Sequence, residues 1–137
     1  MDAHNSAKSD YNKVLDYLLE LDLSITHQSE DDCIFVVQDE SNGIKNLVIG
    51  CANPLLIIEQ FLFELKDDSA EVYKQLLQKN RDVIHGAFVL DETGRRVIFR
   101  DTLQLSNLDL NELEGSINSL ALLLSEYSDE IIAFSKH

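Results

Sequence analysis

The residues with types suited to chemistry are few in this 137-residue chain: four histidines, two cysteines and two adjacent aspartate pairs. His4, His27, His85 and His137 are scattered, and no pair has metal-ligand spacing. The two terminal histidines fall outside any expected ordered element. His85, beside Gly86, is the one expected in a strand, where a structural role outweighs general acid–base work. Cys33 or Cys51 with a histidine could form a nucleophile pair, yet no local signature accompanies either. Both cysteines adjoin apolar segments and read as small buried hydrophobes. Two scattered cysteines make no disulfide framework and suggest a reducing compartment. Asp31-Asp32 and Asp67-Asp68 lack the spacing of a calcium loop and read as solvated turns. Asp101, between Arg100 and Thr102, reads as half of a surface ion pair worth ~0–1 kcal/mol. There is no phosphate loop, G-x-S-x-G elbow or dinucleotide fingerprint. No catalytic residue, metal ligand or cofactor is expected, and the function classes that remain are non-enzymatic.

The charge balance excludes more. Twenty-five acids against 11 bases leave a formal net charge of -14. Such a surface repels phosphate backbones and anionic membranes, so neither nucleic acid nor membrane is an expected partner. It favours solubility and could steer a basic partner. The polar start, MDAHNSAKSD, lacks the apolar core of a signal peptide. No apolar run approaches the ~20 residues of a membrane span. The cytoplasm is the expected location.

The elements that would position these residues follow from periodicity. Residues 1–9 read as a flexible tail, and 10–137 as a single domain. Ser9 or Asp10 is a candidate helix cap. Tyr11, Val14, Leu15, Leu18 and Leu21 then trace one helical face. Cys33 to Val37 reads as a strand and Asn42-Gly43 as a hairpin turn. In the returning strand, Ile44, Asn46 and Val48 should share one face, with Lys45, Leu47 and Ile49 on the other. Gly50 to Pro54 breaks the pattern. Leu55 to Leu65 reads as a strand apolar on both faces: Leu55, Ile57, Glu59, Phe61, Phe63 and Leu65 on one, Leu56, Ile58, Gln60, Leu62 and Glu64 on the other. It should be central and covered on both sides, by a helix or another subunit.

Ser69 caps a second helix with Val72, Tyr73, Leu76, Leu77 and Asn80 inward. Ala87 to Leu90 and Arg96 to Leu105 form a second hairpin around Gly94. Its return strand points Val97, Phe99, Leu103 and Leu105 inward and Arg96, Ile98 and Arg100 outward. Asp109 and Glu112 resemble a capping box ahead of a long final helix. That helix carries Leu113, Ile117, Leu120, Leu124, Tyr127, Ile131 and Phe134 at 3–4 spacing. Leu122 and Leu123 widen the stripe, which suits a sheet face better than a coiled coil. The order α-β-β-β-α-β-β-α indicates an α+β fold with an antiparallel sheet packed against helices.

Several of these residues carry a likeness. Leu76-Leu77-Gln78-Lys79-Asn80, Gly86-Ala87-Phe88-Val89-Leu90-Asp91, Gly94, Phe99-Arg100-Asp101-Thr102-Leu103, Asp109-Leu110 and Leu113 resemble the YbjN-like bacterial family. That family belongs to the type III secretion chaperone-like (Tir chaperone, CesT-like) superfamily. In element order the resemblance covers roughly Leu15 to Ile131. It implies a small cytoplasmic α+β protein, usually homodimeric, with a twisted antiparallel sheet and no catalytic residues. It also implies a chaperone-like role: secretion chaperones of this kind hold an extended segment of a partner protein on apolar patches.

Two functional expectations follow. The first is a homodimeric, non-enzymatic, chaperone-like module. An extended partner segment would add to a sheet edge through main-chain hydrogen bonds and place alternate side chains in apolar pockets. Arg96, Ile98 and Arg100, on the exposed strand face, are the candidate contact residues. The second is a regulatory or small-ligand-binding domain of the YbjN type. It would need a pocket between the sheet and the final helix near Phe88, Phe99 and Tyr127.

Overall fold

The computed structural model describes residues 3–136, with side chains from residue 7 onward. Its elements are α1 (Ala3–Glu20), β1 (Ser24–Ser29), β2 (Ile34–Asp39), β3 (Ile44–Ala52) and β4 (Leu55–Glu64). After them come α2 (Ala70–Lys79), β5 (Ala87–Leu90), β6 (Arg96–Gln104) and α3 (Leu110–Phe134). The six strands form one sheet in the order β1-β2-β3-β4-β6-β5, and every neighbouring pair is antiparallel. The expected α+β architecture holds, with one strand added in front. β1, with sequence SITHQS, has no clean apolar alternation because it is an edge strand and only part of it turns inward.

α1 begins at Ala3, so backbone that reads as tail, His4 included, is helical. Ser9 and Asp10 lie inside the helix rather than capping it. No glycine or proline interrupts these residues, and extending a helix already nucleated adds one hydrogen bond per residue fixed. Met1, Asp2 and His137 lie outside the described residues. Tyr11, Val14 and Leu18 are buried as the periodicity predicts, and the Tyr11 ring stacks on Phe35 at 4.9 Å.

All three helices pack on one face of the sheet. Tyr11, Val14 and Leu18 of α1 and Leu113, Ile117 and Leu120 of α3 meet Phe35, Leu47, Ile49, Leu56, Ile58 and Phe99 in one cluster. Val72 and Leu76 of α2 and Leu123 and Phe134 of α3 meet Phe63, Phe88 and Val97 in a second. Two caps start the later helices: Val72 N–H donates to Ser69 Oγ at 3.2 Å, and Glu112 N–H donates to Asp109 Oδ1 at 2.8 Å. α3 kinks at Tyr127 (φ -113°, ψ 16°), and Ile131 and Phe134 beyond the kink still reach the second cluster. Leu77 departs from the expected inner face of α2 and is 70% exposed.

Two bulges change the strand faces expected from strict alternation. The register of β2 with β3 shifts between Val37/Leu47 and Asp39/Ile44, with Asn46 at φ 50°. Ile44, Leu47 and Ile49 are therefore buried together, while Lys45, Asn46 and Val48 are exposed. Buried Gln60 holds this irregular backbone: Lys45 N–H donates to its Oε1 at 3.1 Å, and its Nε2 donates to Gly43 O at 3.4 Å. The Asn42-Gly43 hairpin forms, but a turn of 3-10 helix over Glu40–Asn42 precedes it and only Gly43 takes positive φ.

The second bulge lies in β4, where the register with β6 shifts between Phe61/Ile98 and Phe63/Val97. Leu56, Ile58 and Gln60 face the helices, and so, after the shift, do Phe63 and Leu65. A bulge adds one residue and resets the period of two. β3 runs through Gly50 to Ala52, past the expected break, and Asn53-Pro54 makes the turn.

The cysteines are a further correction. Rather than standing as separate thiols, Cys33 and Cys51 form a disulfide with Cα atoms 5.4 Å apart. Cys51 N–H donates to Cys33 O at 2.9 Å, so the antiparallel pairing of β2 and β3 brings the two side by side. Their separation of 18 residues in sequence hides a contact that pairing alone creates.

Candidate functional site

β4 is central, as its doubly apolar pattern predicts, but the described residues cover only one of its faces. The other face is open. Cross-strand partners place Val48 beside Glu59, Glu59 beside Arg100, Gly50 beside Ile57, and Phe61 beside Ile98. Phe61 is 46% and Val48 40% exposed. Together with Ile34, Ile57 and Ile98 they floor a groove of about 470 Å³, rimmed by Asp32, Glu59, Asp91 and Arg96. Large apolar side chains grouped on an open surface mark a contact site more often than single ones do.

Arg96, Ile98 and Arg100 all lie along β6 on this open face. Arg100 donates from Nη1 to Glu59 Oε1 at 2.8 Å, a close cross-strand ion pair. Arg96 Nε stands 3.7 Å from Asp91 Oδ2, and its guanidinium lies 4.5 Å over the Phe61 ring. Ile98 completes the floor beside Phe61. The Thr93 side chain, donating to Asp91, holds that carboxyl below the usual range against a smaller opposing effect of desolvation; the Thr93 and Arg96 backbones and the Arg96 charge add to it. Asp91 is therefore a fixed anion at the end of the groove. The sequence pattern does not single out Val48, Ile57 and Phe61 as lining for this groove, although the second apolar face of Leu55 to Leu65 is the signal for two of them.

The sheet edges are unequal. At β5, Phe88 N–H donates to Asn80 Oδ1 at 2.8 Å, and Asn80 Nδ2 donates to Phe88 O at 3.2 Å. One side-chain amide thus occupies both outward backbone groups of Phe88. Just past the end of β5, Thr102 N–H donates to Asp101 Oδ1 at 2.8 Å. Among the described residues Asp101 forms no ion pair, and its Oδ2 is buried without a partner. It pairs with Ile58 on the helix-facing side of the sheet, so Arg100 points away from it and finds Glu59 instead.

The other chemistry-bearing residues do not converge. Among the described residues no three His, Cys, Asp or Glu side chains cluster so as to hold a metal. Ser119 Oγ accepts from His85 N–H at 3.1 Å and donates to His85 O at 2.7 Å, which pins that loop to α3 through its backbone. Where a pocket is expected between sheet and final helix, Phe99 is fully buried and the Phe88 and Tyr127 rings pack at 6.1 Å; a cleft of about 240 Å³ lies beside Phe88 instead, lined by Tyr73, Leu76 and Leu90. Among the described residues no helix is long and apolar enough to cross a membrane.

Residues 7–137 match the model of the CesT_Tir_1 family. The chain belongs to the CesT_Tir_1 family. Three solved structures share its fold. YbjN, a conjectured transcription regulator from E. coli, aligns with TM-score 0.66 and 8% identity over 88% of this chain and 92% of its own. A chain of the ExsC–ExsE complex aligns with TM-score 0.61 and 13% identity over 93% and 94%. A chain of the HopA1–SchA chaperone–effector complex gives TM-score 0.59 and 13% identity over 94% and 97%. No curated protein sequence matches it. The α+β architecture is that of YbjN and of a chain of the HopA1–SchA chaperone–effector complex, so this family member shares the fold of a chaperone–effector complex chain.

Proposed function

We propose that this CesT_Tir_1 family member is a non-enzymatic chaperone that holds an extended segment of a partner protein on the open face of its sheet. The observation that carries this reading is the groove floored by Val48, Phe61 and Ile98, which the chain's own helices leave uncovered. Arg96, Ile98 and Arg100 line this surface along β6, with Ile98 in its floor and Arg96 lying over Phe61. Main-chain addition at the β5 edge conflicts with Asn80, which already occupies Phe88. A segment lying across the face avoids that conflict.

The protein acts as a homodimer in the cytoplasm. The net charge of -14 suits a soluble carrier. Under cytoplasmic conditions Cys33 and Cys51 would stand reduced, because glutathione and thioredoxin keep thiols so.

Affinity capture from the native host with wild type, Phe61→Asp and Ile98→Asp tests the reading. Wild type should retain a specific protein, and both variants, folded by circular dichroism, should lose it. Equal retention by all three rules out the open face as the binding surface. Light scattering at micromolar concentration should return twice the chain mass, and a monomer would remove the homodimer.

A further inference from the structure

The charge around the groove is uneven in a way that selects its occupant. Its apolar floor is flanked by Asp32, Glu59 and Asp91, and Glu92 adjoins it. Among the described residues the cations there are Arg96 and Arg100, and each already faces a carboxylate. The two pairs differ. Arg100 meets Glu59 at 2.8 Å, whereas Arg96 meets Asp91 only through Nε at 3.7 Å, with half its side chain exposed. An exposed, single-contact pair contributes little and is easily exchanged. Arg96 also lies over Phe61, so its departure uncovers the largest apolar side chain of the floor.

Resting on the open face as the binding surface, the geometry points to a partner segment with an apolar anchor and a lysine or arginine two residues away. The basic side chain takes the place of Arg96 at Asp91, and the anchor takes its place on Phe61. Side chains two apart on an extended segment project to the same side, ~7 Å apart. Arg96 already reaches both groups at once, with its guanidinium over the Phe61 ring and its Nε facing the Asp91 carboxylate. An acidic residue at that position meets Asp91 and Glu59 instead and is repelled. Like-charge contact of this kind is a source of specificity.

Short synthetic peptides with alternating apolar and polar residues test this. Each is made with lysine, glutamine or glutamate two positions from a central phenylalanine, and binding is followed by fluorescence anisotropy. The lysine peptide should bind about tenfold tighter than the glutamate peptide, with glutamine between, and the gap should shrink as salt rises. Asp91→Asn should close most of the gap, whereas Glu20→Gln on α1 should leave it unchanged; equal effects would assign the preference to overall charge and overturn the site. Arg96→Gln should tighten the lysine peptide, the opposite sign to a merely structural role. Val48→Asp should weaken all three peptides. Equal binding of lysine and glutamate peptides, still lost in Val48→Asp, overturns the charge rule and leaves the open face standing as the binding surface. No binding by any peptide overturns the inference, and the capture experiment then decides the broader reading separately.

Discussion

Single side chains at the second hairpin hold backbone that the ladder leaves unpaired. Asn80 does so at Phe88, a buried residue, through both its amide groups. Asn80→Ala leaves an N–H and a C=O without partners and should lower unfolding free energy by about 2 kcal/mol, measured by urea denaturation. Gly86 is at φ +80°, and a Cβ there would stand 2.5 Å from the Phe99 ring and 3.0 Å from Arg100 O. Phe99 is fully enclosed and cannot swing aside, so Gly86→Ala should destabilise by about 3 kcal/mol. Gly94 is the internal control. It shares the positive φ, but a methyl group added there would meet nothing within 4 Å, so Gly94→Ala should lose only about 1–2 kcal/mol. The sequence marks Asn80, Gly86 and Gly94 as turn and packing residues. It does not reveal that the Asn80 amide stands in for a missing strand, because that depends on how the chain folds back at Asn80–Asp82.

At the scale of elements, helices are more legible in the sequence than strand faces. The apolar stripes of α1 and α3 point to their buried sides because a period near 3.6 survives local irregularity. Strand faces have a period of two, and one inserted residue inverts them. That is why Ile44, Phe63 and Leu65 lie opposite to expectation. β1 is hard to read because an edge strand needs few apolar residues. The positions of Arg96, Ile98 and Arg100 are legible as an outward face. Their neighbours Val48 and Phe61 are not, since the pairing of β3, β4 and β6, with two bulges, brings them together. The Cys33–Cys51 link closes the β2–β3 hairpin at the end away from its turn. By loop-closure entropy a link of this span contributes about 3 kcal/mol. Adding reductant, or replacing Cys51 by serine, should lower the urea midpoint accordingly, and an unchanged midpoint would show that the link adds nothing.

For the whole molecule, acidity sets the response to pH. Asn42 and Ser41 donate to the Asp39 carboxylate and lower its pKa, against a smaller cost of desolvation. Asp91 is lowered in the same direction by Thr93. A carboxylate with a depressed folded pKa contributes stability that is present above its unfolded pKa of about 3.9 and lost as pH falls through the folded value. Thermal melts below about pH 4 should therefore fall more steeply for wild type than for an Asp39→Asn, Asp91→Asn double variant. Parallel curves would remove these two groups from the acid response.

The one-sided packing of the helices has an evolutionary consequence. Substitutions at Phe35, Leu56 or Phe99 are tested by whether the chain still folds, whereas those at Val48, Phe61 or Ile98 are tested mainly by what the surface meets. Two constraints thus fall on alternate residues of the same strands, folding on one set and whatever meets the open face on the other. On the proposed function, a lineage could change its binding preference there while inheriting its scaffold intact.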